Sequence, residues 1–531
     1  MTWLEKLVRP EILELKPYSS ARSEYSGAAQ IQLDANENPW PPYGTRAPLN
    51  RYPEPQPRLL KQRLAEIYKV EENQLLITRG MDEGIDLLIR TFCNPGKDSV
   101  VIIPPTFGYY EVAANINGVR VIQARLEQLE QGKIVFLCTP NNPTGESITL
   151  DKIVEICNSY RGIVAVDEAY IEFSNIPSAT CLLKQYPNLV VMRTLSKAYA
   201  LASLRIGTII ASAEIIAILK RVLPPYPIAQ TCSDIALKAL SPIGLYYTNN
   251  KVKEIKEQRK YLYQQLSKCS EVIRIYSSDA NFLLVIFKDS DALYHRLKSA
   301  GIIIRNRSNE IQDALRITVG RSEENELLLC ALGLLKKINE PIRKASYNRK
   351  TNETEILCEA SLDGLGTANI STEIRFFDHM LEQLAKHSGI SMLIKATGDI
   401  DIDAHHTVED VAIVLGKSLK EALGNKYGIS RYGFVLPMDE AEAQVSIDLS
   451  GRGYCSFDAK FTSQQVGDLP TEMVKHFFET LSTNLEAAIH IKITGDNTHH
   501  MVESCFKCFA KALKQAISEN GNSLPSTKGA L

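Results

Sequence analysis

One five-residue phrase occurs twice near the end of this chain. His405-His406-Thr407-Val408-Glu409 returns as His499-His500-Met501-Val502-Glu503, 94 residues later. Eight of the nine histidines lie between His379 and His500, so the last third of the chain is built differently from the first two thirds. Histidine is the commonest side-chain metal ligand, and a glutamate four residues further on shares its helix face. The duplication predicts a metal enzyme made of two similar halves, each placing its His-His-x-x-Glu at the start of a helix.

A length of 531 residues is too great for a single core and implies roughly three or four structural domains. Formal net charge is −2 with no basic block, which argues against nucleic acid or an acidic membrane surface as a partner. The first residues lack a basic segment followed by an apolar run, so no signal peptide is expected. The apolar stretch from Gly207 to Leu219 is interrupted by Glu214 and is too short to cross a bilayer. Eleven cysteines are scattered, as in a reducing cytoplasm. Cys505 and Cys508 have no second pair to complete a zinc site and are expected to be helix positions.

Apolar runs at 75–78, 99–103, 134–138, 162–166 and 189–192 alternate with amphipathic helical patterns, predicting a mainly parallel sheet covered on both faces. A polar helix over 249–268 and a strand over 281–287 suggest a smaller α+β unit, closed by a helix around 323–337. Asn339-Glu340-Pro341 breaks that helix. The expected division is 1–339 (an N-terminal arm, a large domain over about 23–240 and a small domain over 241–339), a linker at 340–345, and a duplicated unit over 346–531 opening with a half-exposed strand at 355–362.

Three phrases in the first part matter jointly: Asn142-Pro143-Thr144-Gly145, Asp167-Glu168-Ala169-Tyr170, and Thr194-Leu195-Ser196-Lys197 running on to Arg205-Ile206-Gly207. Lysine forms a Schiff base with an aldehyde. Pyridoxal phosphate needs such a lysine and an acidic partner for its ring nitrogen. Lys197 and Asp167 are candidates for those two roles, with Thr194, Ser196 and Arg205 as phosphate donors.

On these phrases the chain resembles fold-type I aminotransferases. More narrowly, it resembles histidinol-phosphate aminotransferases over residues 1 to about 338, through Leu33-Asp34-Ala35-Asn36-Glu37-Asn38-Pro39, Arg51-Tyr52-Pro53, Thr78-Arg79-Gly80-Met81-Asp82-Glu83-Gly84-Ile85 and Leu315-Arg316-Ile317-Thr318-Val319-Gly320. The resemblance implies an α/β fold with a large parallel-sheet domain and a small α+β domain. It makes Lys197 the Schiff-base lysine and Asp167 the ring-nitrogen partner, puts Asn142 and Tyr170 on the ring oxygen, and stacks Phe107 on the ring. It places Met81 and Asp82 in a phosphate-binding loop and brings Tyr52 from the neighbouring subunit of a dimer. Arg316 and Arg305 would grip the substrate anion. Between Gly118 and Val135 the chain is shorter than family members usually are, which is expected to weaken stability or activity.

In the last third, His405 and Glu409 share a helix face while His406 is rotated by about 100°. Adjacent histidines therefore serve different metals, each collecting ligands from both repeats or from two subunits. His379 and His490 are further candidates; His387 and His476 are expected to be ordinary polar residues. A ligand set of nitrogen and carboxylate suits Mn, Fe or Zn. Arg431, Arg452, Lys507 and Pro525-Ser526-Thr527-Lys528-Gly529 could form a phosphate grip.

Residues 343–531 resemble imidazoleglycerol-phosphate dehydratases through Ile402-Asp403-Ala404-His405-His406-Thr407-Val408-Glu409-Asp410, Arg431-Tyr432-Gly433, Pro437-Met438-Asp439-Glu440, Ser450-Gly451-Arg452 and Gly495-Asp496-Asn497-Thr498-His499-His500. The resemblance implies a duplicated α+β domain of two βαβ-type halves, 24-subunit shells and two Mn2+ per site. It implies His379, His405, His406, Glu409, His490, His499, His500 and Glu503 as ligands and Glu353 as acid/base. Arg431, Arg452, Lys507, Ser526 and Lys528 become phosphate binders. Glu373 and Arg375 replace usual glycines, and Ala404 replaces an aspartate whose loss is expected to soften metal affinity.

Together the resemblances imply a bifunctional cytoplasmic, homo-oligomeric enzyme of histidine biosynthesis. It would dehydrate imidazole glycerol phosphate to imidazole acetol phosphate, then transaminate that product with glutamate to histidinol phosphate and 2-oxoglutarate. The alternative is a dehydratase shell whose aminotransferase module is structural or differently specific.

Overall fold

The computed structural model describes residues 2–16, 31, 33–43, 49–335, 343–426, 428–433 and 436–519. The chain divides into two compact units, Met1–Lys337 and Ile338–Leu531. The expected break at Asn339-Glu340-Pro341 lies outside the described residues.

The first unit is organised by seven strands: β1 (Leu75–Arg79), β2 (Ser99–Ile102), β3 (Arg120–Gln123), β4 (Ile134–Cys138), β5 (Ile163–Asp167), β6 (Leu189–Thr194) and β7 (Ile206–Ile210). Their order is β1-β7-β6-β5-β4-β2-β3. β7 is antiparallel to both neighbours, and the other pairs are parallel. Alternate side chains of β5 enter opposite cores: Ile163 and Ala165 join one apolar cluster, Val164 and Val166 the other. Burial on both faces explains the unbroken apolar runs. β3 was not expected, because its part-exposed positions form no continuous apolar run. The apolar run from Gly207 spans two elements. There β7 ends, and Ser212, accepting from the Ile215 N–H, starts the helix Ala213–Val222. Despite its shortened approach, β4 is buried throughout.

A second sheet in this unit, β8 (Val272–Ile275), β9 (Phe282–Phe287), β10 (Arg305–Asn306) and β11 (Ala314–Thr318), runs in the order β10-β11-β9-β8. Leu283, Val285, Leu315 and Ile317 form its core with Leu262 and Leu266 of the helix Pro242–Leu266. That helix starts before the expected Asn249, because Ser241 caps it and Pro242 sits in its first turn.

The second unit repeats one topology. Strands β12 (Lys344–Lys350), β13 (Thr354–Ser361), β14 (Ala368–Ser371) and β15 (Ser391–Gly398) run in the order β12-β13-β15-β14. In the other half come β16 (Tyr432–Gly433), β17 (Leu436–Met438), β18 (Ala441–Asp448) and β19 (Tyr454–Asp458), then a ribbon of β20 (Gln465–Val466) and β21 (Leu469–Pro470), and finally β22 (Ala488–Thr494). Their main order is β16-β18-β22-β19. In both sheets only the final neighbour pair is parallel. β13, expected to be half-exposed, is central and mostly buried.

Each half carries a shorter helix, Arg375–Ser388 or Glu472–Leu485, and a longer one, His405–Leu423 or Thr498–Ile517. They pack crosswise: each longer helix lies against the shorter helix of the other half. A single apolar core joins both halves.

Candidate functional site

In the first unit the carboxyl ends of β4, β5 and β6 meet the first turn of the helix Gly80–Phe92. Ten residues named from sequence line one pocket there: Met81, Asp82, Phe107, Asn142, Asp167, Tyr170, Thr194, Ser196, Lys197 and Arg205, joined by Cys138 and Ala169. Met81 and Asp82 belong to the helix rather than to a loop. Gly80 adopts φ +77, and a side chain at Gly207 would come within 2.5 Å of the Gly80 backbone. These two glycines let β7 close against the helix N-terminus, where unpaired N–H groups suit a phosphate. Arg205, at φ +53, directs its guanidinium to Asp82 at 2.9 Å, and Thr194 Oγ1 donates to Ser196 Oγ at 3.0 Å.

Asp167 ends β5 and is buried. Its Oδ1 accepts the Ala169 N–H at 3.0 Å, and its Oδ2 accepts the Tyr110 hydroxyl at 2.6 Å. Burial raises its carboxyl above the usual range, against these hydrogen bonds. Lys197 lines the pocket and is exposed, with Nζ 5.5 Å from the centre of the Tyr170 ring. Surrounding protein, and then the Arg316 guanidinium, lower its pKa.

Arg316 donates to Asn142 Oδ1, which Arg307 Nη2 approaches at 3.4 Å. Arg305, the second arginine expected here, is exposed on β10; Arg307 takes the inward place and also pairs with Glu310 at 2.7 Å. Buried Nε atoms of Arg307 and Arg316 have no hydrogen-bond partner among the described residues. The alternation of Arg305 and Arg307 about Asn306 was the signal available for this. Tyr52 lies apart from the pocket, exposed and stacked on Tyr226 at 4.7 Å. A cradle that excludes side chains, a buried carboxylate, a lysine and unpartnered guanidinium atoms fit the phosphate, ring nitrogen, aldehyde and anionic substrate of pyridoxal phosphate chemistry.

In the second unit the crosswise packing decides the geometry. His405 Nε2 is 3.9 Å from Glu409 Oε2, and His476 Nε2 is 3.7 Å from Glu409 Oε1. The two rings are 4.6 Å apart. Their candidate ligand atoms all lie within 4.8 Å of one another. His476 Nε2 is buried without a hydrogen-bond partner among the described residues, an arrangement that suits a metal ion. His476, taken from sequence as an ordinary polar residue, thus enters the site.

His490 leaves it. It stands exposed on β22 between the buried Ile489 and Ile491, its ring 5.5 Å from Tyr454. Strand alternation turns it to the face away from the helices. The missed signal was positional: His379 and His476 are each the fifth residue of their shorter helices.

In the matching cluster, His499 Nε2 is 3.6 Å from Glu503 Oε2, and Lys507 Nζ is 2.7 Å from Glu503 Oε1. Burial works to raise the Glu503 carboxyl, yet Lys507, His379 and His499 hold it below the usual range. His379 also lies 4.0 Å from Glu382. Two further histidines expected as ligands face carboxylates through Nδ1, whereas His387 faces the Gln383 amide at 3.0 Å. His406 meets Asp399 at 3.1 Å and Glu353 at 3.9 Å, and His500 meets Glu440 at 2.8 Å. Nδ1–H donation would leave each Nε2 able to bind metal. Ala404 therefore does not strip His406 of a partner, because Asp399 serves it, while Asp403 accepts the His405 N–H at 2.6 Å.

Glu373, where a glycine was expected, holds φ +69, a conformation that suits glycine. Arg431 gives its guanidinium to Asp448 at 2.6 and 3.0 Å. Arg452 is exposed. Ser526 and Lys528 lie outside the described residues.

Residues 24–332 match the family model of class I and II aminotransferases, and residues 372–513 that of imidazoleglycerol-phosphate dehydratase. A histidinol-phosphate aminotransferase of Parabacteroides distasonis is 44% identical over 348 residues, 63% of this chain and 99% of that protein. One from Xylella fastidiosa is 45% identical over 61% of this chain and 95% of its own length. Among solved structures, histidinol-phosphate aminotransferase from Clostridium acetobutylicum aligns over 54% of this chain and 90% of its own, with 26% identity and TM-score 0.49. Imidazoleglycerol-phosphate dehydratase from Staphylococcus aureus aligns over 33% and 99%, with 37% identity and TM-score 0.31. The chain belongs to the class I and II aminotransferases, with histidinol-phosphate aminotransferases as relatives of its first unit, and it carries an imidazoleglycerol-phosphate dehydratase domain in its second, making it a bifunctional enzyme of histidine biosynthesis.

Proposed function

We propose that the first unit transaminates imidazole acetol phosphate with glutamate at the pocket around Lys197, and that the second unit supplies that keto phosphate by Mn2+-dependent dehydration of imidazole glycerol phosphate. The observation that carries this reading is the gathering of Lys197, Asp167, Asn142 and Tyr170 in one pocket, on a chain that also brings His405, Glu409 and His476 together.

Pyridoxal phosphate, when bound, supplies an electron sink for transamination. Asp167 would hold the ring nitrogen, Asn142 and Tyr170 the ring oxygen, and Phe107 the ring face. The helix start at Gly80, with Thr194, Ser196 and Arg205, would hold the phosphate. Lys197 would hold the cofactor and carry a proton during exchange, while Arg316 and Arg307 meet the substrate anion.

Two Mn2+ ions per dehydratase site supply the Lewis acidity that makes the imidazole ring easier to deprotonate. His405, Glu409 and His476 would hold one ion, and His379, His499 and Glu503 the other. His406 and His500 would complete these sets on neighbouring copies, and Glu353 would move a proton to or from the substrate. A dimer completed by Tyr52, a 24-subunit assembly of the dehydratase part and a cytoplasmic location belong to the same reading.

The test uses two selective losses. In Lys197→Ala the visible absorbance of bound pyridoxal phosphate and the transamination should vanish while dehydration persists. Chelation of the wild type should do the reverse. A wild type that binds no pyridoxal phosphate would instead favour a structural first unit.

A further inference from the structure

Tyr110 was not among the residues expected at the aminotransferase pocket. It is fully buried on the helix Tyr109–Ile116. Three contacts fix it. Its ring stacks on Phe136 with centroids 4.7 Å apart and planes 7° from parallel. It meets Phe107 edge to face at 5.5 Å. Its hydroxyl donates to Asp167 Oδ2 at 2.6 Å. One side chain therefore touches both the aromatic proposed to stack on the cofactor ring and the carboxylate proposed to hold its nitrogen.

We propose that Tyr110 is a positioning residue for the aminotransferase site, fixing the plane of Asp167 and favouring the ionised form that would hold the pyridine nitrogen. This rests on the assignment of Asp167 made above. An isolated buried carboxylate tends to take up a proton, and a neutral acid holds a protonated ring nitrogen less well than an anion does. The hydroxyl of Tyr110 and the Ala169 N–H occupy one oxygen each, and hydrogen bonds to the charged form favour it.

The other ionisable groups acting on Asp167 do not replace this bond. Lys197 favours the anion, Asp82 opposes it, and Cys138, which also hydrogen-bonds Tyr110, is a thiol kept neutral by burial. Stacking on Phe136 prevents the Tyr110 ring from following a carboxylate that rotates, so the bond also sets orientation. A tyrosine retained only for packing would not need its hydroxyl aimed at the one buried carboxylate of the pocket floor.

The experiment compares full-length wild type, Tyr110→Phe and Asp167→Asn. Each apoenzyme is titrated with pyridoxal phosphate by visible absorbance. The absorbance of each loaded protein is then followed against pH, and kcat and KM are measured for histidinol phosphate and 2-oxoglutarate. Phenylalanine keeps the stacked ring and removes only the hydroxyl. Removing a hydrogen bond that favours the Asp167 anion predicts weaker cofactor binding, seen as a raised cofactor Kd in Tyr110→Phe. Its absorbance–pH midpoint should shift in the same direction as that of Asp167→Asn, though less far, and kcat should fall more than KM rises. If Tyr110→Phe matches wild type in Kd and spectrum while Asp167→Asn does not, Tyr110 only packs and the proposal is overturned. If Asp167→Asn also matches wild type, the assignment of Asp167 fails, and the proposal with it.

Discussion

Two histidines of the second unit separate at the atomic level. His476 Nε2 is buried and unpartnered beside His405 and Glu409, whereas His490 is exposed against Tyr454. His476→Ala should therefore weaken Mn2+ binding by more than the roughly 10–100-fold that loss of an outer partner costs, and His490→Ala should leave it within about twofold. Calorimetric metal titration of both variants decides this, and the opposite ranking would return His490 to the site. Lys197 offers a pH test. Its pKa is lowered from the ordinary 10.5, and only the neutral amine attacks an aldehyde. Pyridoxal phosphate capture by apoenzyme should accelerate as pH rises, with a midpoint below 10.5. Stopped-flow absorbance gives that midpoint, and a value at or above 10.5 would contradict the environment described for Lys197.

At the scale of elements, the crosswise packing of helices makes the metal clusters. Phe478, fully buried in the helix Glu472–Leu485, touches the rings of Phe477, Phe506 and Phe509. Phe478→Ala should destabilise the second unit by about 3–5 kcal/mol and leave the unfolding of the first unchanged. Calorimetry should resolve that asymmetry; a shift confined to the first unit would contradict it.

This packing also explains what the sequence could and could not convey. The apolar runs of β4, β5 and β6 were legible because both sheet faces are buried. Phrases such as Thr194-Leu195-Ser196-Lys197 carried their chemistry locally. His476 was not legible from its neighbours, since its role arises from a helix of one half meeting a helix of the other. Tyr110 was missed for the same reason, since it reaches Asp167 from a helix distant in sequence. Arg307 reaches Asn142 from just beyond β10, and only its alternation with Arg305 pointed to it; tertiary contact brings both in.

For the whole molecule, the two units are related by chemistry: the product proposed for the second is the substrate proposed for the first. Among the described residues no helix is long and apolar enough to cross a membrane. The most direct measurement is a single incubation of the full chain with imidazole glycerol phosphate, Mn2+, pyridoxal phosphate and glutamate, following both imidazole acetol phosphate and histidinol phosphate by mass spectrometry. The account predicts transient imidazole acetol phosphate followed by histidinol phosphate, formed together with 2-oxoglutarate. Imidazole acetol phosphate that accumulates without histidinol phosphate, or no turnover of imidazole glycerol phosphate at all, would contradict it.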